Sequence, residues 1–220
     1  WINDKVEAHE EAEKNKVPGQ ADEEDGVYEL TDENIDGFIA ANPHVFVMFY
    51  SPGCGHCTKM LPALTEAAGM LTEEAHTAKV AKCDASVNKV SSGKYGVKGY
   101  PTMKFFYNGI GGEYKGGREA KDLVETIKKK SDNPVTNFDT IEEVEEWKTK
   151  HDIVVLLFGG EEKETFTSFA VGYDNAEFGY CDNDEVREHY KAKEGGVVLF
   201  KNFDEKKNYI PGVYSFATLQ

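Results

Sequence analysis

Two cysteines, Cys54 and Cys57, stand in the run Tyr50-Ser51-Pro52-Gly53-Cys54-Gly55-His56-Cys57-Thr58-Lys59-Met60-Leu61-Pro62 of a 220-residue chain. Their type and spacing are those of thiol–disulfide exchange. The apolar run Val45-Phe46-Val47-Met48-Phe49 before them predicts a buried strand. Met60, Leu61, Leu64, Ala67, Ala68 and Leu71 after them recur at helical spacing. The pair therefore falls at a strand-to-helix turn, where unpaired backbone N–H groups and the positive end of the helix dipole favour a thiolate. Cys54, the more N-terminal, gains most. His56 adds a group able to carry positive charge near neutral pH. An ordinary thiol with a pKa of about 8.5 is only a few per cent thiolate at neutral pH, whereas a pKa of about 6 makes it roughly 90% thiolate. Cys57, one helical turn on, can close a short ring with Cys54 or attack a mixed disulfide formed there.

Two other chemistries fit a C-x-x-C pair less well. Zinc needs further ligands at suitable spacing, and Cys83 and Cys181 are isolated, so no metal site is expected. A purely structural disulfide closing so short a ring stabilises little. Cys83 and Cys181 read as unpaired, buried core thiols, with no bridge between them.

The stretch resembles the active-site motif of the protein disulfide isomerase family, whose catalytic domains have the thioredoxin fold. Pro62 matches the proline of that family's active-site helix, and Gly99-Tyr100-Pro101-Thr102 resembles its cis-proline loop, preceded by Tyr95-Gly96-Val97. Arg118, in Tyr114-Lys115-Gly116-Gly117-Arg118-Glu119-Ala120, matches the arginine that tunes the second cysteine. The resemblance implies that Cys54 is the attacking thiolate and Cys57 the resolving thiol, with Gly55 and His56 tuning the motif towards oxidation and isomerisation. It implies a cis Pro101, a client strand pairing with the Tyr100 backbone, and no cofactor beyond the Cys54–Cys57 disulfide itself. It also implies partly folded, cysteine-bearing clients, an upstream redox partner, and the lumen of the endoplasmic reticulum.

Two positions depart from the family's pattern. A tryptophan usually precedes the first cysteine, where this chain has Gly53. A buried acid usually lies beneath the cysteines as proton acceptor, where this chain has Met48, although Lys82, the acid's partner in the family, is kept. These departures keep open a second reading, a client-binding or assembly module with a weakened redox centre. A general reductase of thioredoxin type is a third, which His56 opposes.

Composition narrows the partners. The formal net charge is −15, with 40% hydrophobic residues, enough for ordinary cores. Such a charge repels nucleic-acid phosphates and anionic membrane surfaces. No run approaches membrane-spanning length, and no signal or retention sequence is recognised. A chain beginning at Trp1 reads as a processed or excised piece.

The expected architecture is α/β, with two tandem thioredoxin-like domains, each a mixed sheet flanked by helices. Residues 1–25, with nine Asp or Glu against three Lys, read as an acidic leader or linker. Residues 26–131 read as the redox-active, a-type domain, in the order β α β α β α β β α. Its elements are a strand at 27–30, a helix with Ile35, Phe38 and Ile39, strand 44–50, the active-site helix, a strand at 77–84, a short helix at 86–95, strand 102–107, an Asn108-Gly109 turn, a returning strand at 112–115 and a helix at 118–130. Residues 132–220 repeat a similar order and resemble the redox-inactive b-type domains of the same family. There Thr140 caps a helix carrying Ile141, Val144 and Trp147, strand 153–158 follows, and the motif's place holds Gly159-Gly160-Glu161-Glu162-Lys163-Glu164 without a thiol. A helix with Phe166, Phe169 and Ala170, a strand at 177–181, a helix at 182–192, a strand at 197–200 preceded by Gly195-Gly196, a hairpin closed by 206–210 and a final, truncated helix from Ser215 complete the reading.

Overall fold

The computed structural model describes residues 20–132, 134–173 and 175–201. The hairpin expected at 206–210, the helix expected from Ser215 and residues 1–19 of the acidic leader lie outside them. The chain divides into two compact units, one ending at Ile127 and one beginning at Lys128, with Ile110–Gly112 grouped in the second.

The first sheet has the order β1-β2-β4-β3-β5-β6, built from β1 (Asp22–Glu24), β2 (Val27–Leu30), β3 (His44–Tyr50), β4 (Lys79–Asp84), β5 (Thr102–Tyr107) and β6 (Ile110–Glu113). β2, β4 and β3 run parallel, and β5 pairs antiparallel with β3. Between the strands come α1 (Ile35–Ala41), α2 (Gly55–Glu73) and α3 (Lys89–Lys94), and α4 (Ala120–Asp132) follows β6. From β2 onward this is the expected order of elements.

Alternation along β3 sorts the core. Val45, Val47 and Phe49 pack with Ile35, Phe38 and Ile39 of α1 and with Ala81, Cys83 and Phe106. Phe46, Met48 and Tyr50 point to the other face. α2 covers that face with Cys57, Met60, Leu64, Ala67, Ala68 and Leu71, so closely that a Cβ on Gly26 would sit 3.3 Å from that of Ala68. Leu61, expected on this stripe, is only half-buried. Pro62 lies inside α2 and removes the hydrogen bond that would run to the Thr58 carbonyl.

Three strands differ from the expectations. Asp22–Glu24, assigned to the leader, is instead an exposed edge strand that pairs with β2 through a turn with Asp25 at φ 51° and Gly26 at φ 79°. Alternation is invisible in three consecutive acids, so only the turn residues could have marked this strand. The strand after Asn108-Gly109 starts at Ile110, because two left-handed residues, φ 47° and φ 83°, complete a tight two-residue hairpin. β7 (Thr136–Phe138) went unrecognised because of its length.

The second sheet has the order β10-β8-β9-β7, from β8 (Ile153–Phe158), β9 (Glu177–Cys181), β10 (Gly196–Lys201) and β7. β7 and β8 flank β9 in parallel, and β10 is antiparallel to β8. This repeats the arrangement of β2, β4, β3 and β5 strand for strand. α5 (Ile141–Thr149) and α7 (Asp184–His189) cover one face through Val144, Trp147, Val186 and Tyr190, and α6 (Lys163–Val171) covers the other through Phe166 and Ala170. A capping box starts α5, with the Thr140 hydroxyl accepting from the Glu143 amide and the Glu143 carboxylate accepting from the Thr140 amide. α7 is shorter than the expected 182–192, because Asn183 caps its start and Lys191, at φ 54°, ends it.

Candidate active site

Cys54 is the N-cap of α2, with extended backbone at φ −91° and ψ 111°. Its sulfur accepts from the Cys57 amide at 3.4 Å, the place a serine or aspartate oxygen takes at most helix starts. The Cys54 amide donates to the Ser51 carbonyl at 3.0 Å, which fixes the turn leaving β3. Hydrogen bonds from the Cys57 side chain and amide, then one from the His56 amide, hold the Cys54 thiol below its ordinary pKa, and the charge of Arg118 acts in the same direction. The family resemblance implies that Arg118 acts on the second cysteine. In the structure its charge is felt at Cys54, and its side chain is exposed just before α4.

Cys57 has the opposite environment. It is fully buried beneath the first turn of α2. Burial pushes its thiol up to about 11, and its hydrogen bond with Cys54 adds to the shift. One half-buried, acidified thiol and one fully buried, neutral thiol thus share a single helical turn. Cys83 is pushed up to about 12 by burial, and Cys181 is raised by burial too. All four cysteines are thiols in this structure.

The Tyr100–Pro101 peptide is cis, as expected. Its loop lies against Cys54, whose thiol donates to the Tyr100 carbonyl at 3.5 Å. The Thr102 hydroxyl donates to the Gly99 carbonyl at 2.8 Å and closes the loop from the other side. The Tyr100 hydroxyl reaches the Ala85 carbonyl at 3.1 Å, and the Ala85 amide donates to the Tyr50 carbonyl. Three loops at one end of the sheet are thereby tied around Cys54. Gly55 and His56 are exposed in the first turn of α2.

Beneath this end, Glu29, Lys82, Met48 and Met103 lie in one row across β2, β4, β3 and β5. Met48 is fully buried. Lys82, expected to lack its partner, finds Glu29 instead, at 3.2 Å. Sequence reasoning missed Glu29, because only the parallel register of β2 with β4 brings it beside Lys82. Gly53 is exposed, and a Cβ there meets nothing within 4 Å. Gly53→Trp is accordingly expected to change stability by no more than about 0.5 kcal/mol, as an open surface position allows. A fall in melting temperature of more than a few degrees on calorimetry would show that the turn needs glycine.

Among its described residues the second unit holds no counterpart. Glu162 takes the N-cap position of α6 without a side-chain capping bond where Cys54 caps α2, and Gly195 stands before β10 where Pro101 stands before β5. A Cβ on Gly160 would meet the Gly195 Cα at 2.9 Å, and the Gly195 amide donates to the Phe158 carbonyl at 2.6 Å. The two loops are in backbone contact.

Comparison with known proteins agrees with this layout. Residues 26–129 match the thioredoxin family. The chain is 39% identical over 193 residues to the protein disulfide-isomerase of Drosophila melanogaster, covering 86% of this chain and 39% of that protein. It is 36% identical over 199 residues to the protein disulfide-isomerase of Oryctolagus cuniculus, covering 87% of this chain and 39% of that protein. The chain thus spans about two-fifths of the length of these relatives. The crystal structure of human ERp44 superposes with a TM-score of 0.62 at 19% identity, covering 81% of this chain and 50% of that one, a likeness of fold. From the thioredoxin match and relatives that extend across both units, the chain belongs to the protein disulfide isomerase family of the thioredoxin superfamily.

Proposed function

We propose that this chain is a thiol–disulfide oxidoreductase and isomerase acting on the cysteines of folding client proteins through Cys54 and Cys57. The observation that carries the reading is the asymmetry of the pair: a half-buried thiol held below its ordinary pKa beside a fully buried one raised to about 11. Only Cys54 is open to a client. In isomerisation its thiolate attacks a client disulfide, forms a mixed disulfide and releases a client thiolate. That thiolate attacks elsewhere in the client, and a client thiolate finally displaces Cys54, with no net redox change. In oxidation a client thiolate attacks Cys54 of the enzyme disulfide, and Cys57 leaves as a thiolate that takes up a proton. A second client thiol, losing its proton, then displaces Cys54. The client has lost two electrons and the enzyme dithiol has gained them, to be returned to a small disulfide or an upstream oxidant. No cofactor besides the Cys54–Cys57 pair is needed. Tyr100, Pro101 and Thr102 form the client-binding loop, and Arg118, Gly55, His56 and Lys82 tune the centre.

The proposed division assigns residues 26–131 to catalysis and 132–220 to a redox-inactive domain. Family membership supports the lumen of the endoplasmic reticulum as the place of work, where disulfides persist. Among the described residues, no helix is long and apolar enough to cross a membrane.

Titration of thiolate absorbance at 240 nm tests the asymmetry. Of the four thiols, one per chain, removed by Cys54→Ser, is expected to ionise below the ordinary value of about 8.5, with the others above it. No low-pH step, or one that survives Cys54→Ser, would end the assignment. Reactivation of scrambled ribonuclease tests the function, and a redox potential above that of thioredoxin, about −270 mV, separates an isomerase from a general reductase. A buried apolar Met48 and the open position at Gly53 favour the second reading, a client-binding module with a weak centre. Binding of unfolded protein without ribonuclease reactivation would establish it.

A further inference from the structure

Val87 and Val90 are 69% and 71% exposed, the most exposed large apolar side chains among the described residues. Their segment is not loose. The Asp84 carbonyl accepts from the Val87 and Asn88 amides, and the Asp84 carboxylate accepts from the Ser86 amide and hydroxyl. Asn88 in turn accepts from the Asp32 amide, and Asp32 caps the start of α3 through the amides of Val90 and Ser91. A firmly fastened turn and the first turn of α3 therefore hold two β-branched side chains out in water. Such side chains lose little rotamer freedom when covered, so they suit a docking surface.

The place of this turn identifies what covers it. Ala85, two residues before Val87, accepts from the Tyr100 hydroxyl, and the Tyr100 carbonyl accepts from the Cys54 thiol. Tyr100, 38% exposed, thus meets the reacting sulfur through its carbonyl and the turn that leads to the valines through its hydroxyl. A client in mixed disulfide has its cysteine fixed at Cys54. Extended chain advances about 3.3 Å per residue, so a client segment that leaves Cys54 along Tyr100 carries the residues a few places from its cysteine towards the turn at Ala85 and the valines beyond it.

We propose that Val87, Val90 and the Tyr100 ring form an apolar shelf that takes an aliphatic or aromatic side chain near the cysteine of an extended client segment. This rests on the exchange function proposed above. It makes the enzyme selective for cysteines in apolar sequence, the cysteines that become buried when a client folds.

The test compares two dithiol peptides of equal length, one with leucines two to four residues from its cysteine and one with serines there. The oxidised full chain is reacted with each, as wild type and as Val87→Ser/Val90→Ser. Wild type is expected to oxidise the leucine peptide about tenfold faster by kcat/KM, with the difference in KM, as fits the burial of one such side chain. The double variant should lose that preference and keep its rates with the serine peptide and with dithiothreitol. Equal rates for both peptides in wild type, or an equal loss on both in the variant, overturns the shelf. Should no peptide be oxidised, the exchange function fails. The shelf is then judged by titrating peptides with serine in place of cysteine against amide resonances of residues 85–91: shifts by the leucine peptide alone uphold it, and their absence overturns it.

Discussion

Cys54→Ser is expected to lower ribonuclease reactivation by more than about a thousandfold, the scale on which removal of a nucleophile acts. The loss is chemical, because the fold has no reason to object. Cys54 caps α2 by accepting from the Cys57 amide, and serine is among the residues best suited to that position. The variant's melting temperature should equal or exceed that of the wild type. Cys57→Ser gives the contrast: Cys54 keeps its exposure and still attacks, so mixed disulfides accumulate on gels run without reductant and some isomerisation survives. Residual oxidation above background in Cys54→Ser would move the nucleophile to another thiol. Cys83 and Cys181, both buried and both raised, are poor substitutes.

Met48→Glu is expected to accelerate dithiol oxidation by about 10- to 100-fold near neutral pH, the usual worth of a placed acid–base group. The buried Cys57 thiol, near 11, must lose its proton to attack and must regain one as a leaving group. Met48 lies in the sheet face beneath α2 and can do neither. A carboxylate there would stand in register beside Lys82 and draw it from Glu29. The cost is stability, since a well-packed apolar side chain gives way to a buried acid whose partner only partly offsets its desolvation. Burial raises such a carboxyl above its unfolded value near 4.3. The unfolded chain then releases that proton first, so the variant should lose stability as pH rises from about 4 and stop losing it above the folded pKa. Stopped-flow oxidation and melting at pH 5 and pH 8 read both effects. An unchanged resolving step would mean that solvent or His56 already moves the proton.

Much of the first unit was legible because its signals are local. The apolar run 45–49 could only be a buried strand, the stripe after Cys57 only a helix, and a C-x-x-C between them places its first thiol at a helix start. The second unit was legible mainly by repetition of that order. What escaped depends on pairing between distant segments. Asp22–Glu24 is a strand only because the turn at Asp25 and Gly26 returns it to β2. Glu29 meets Lys82 only through register. The segment with Val87 and Val90 reads in sequence as part of a short helix at 86–95, and its meaning comes from the Tyr100 hydroxyl that ties the turn at its start to the Cys54 loop.

The backbone contact between Gly160 and Gly195 bears on whether the second unit could be re-armed. Writing cysteine at Glu162 and at Thr165 would restore a C-x-x-C at the start of α6. The loop opposite would not follow. Gly195 sits at φ 70°, and proline, locked near −65°, cannot occupy that conformation. Gly160, at φ 85° and packed on Gly195, admits no side chain. The new dithiol would face the left-handed backbone of Gly195 where Cys54 faces the Tyr100–Pro101 loop proposed to pair with a client. The second unit thus differs from the first twice, once in the missing C-x-x-C and once in the course of the backbone, and point substitution can reverse only the first.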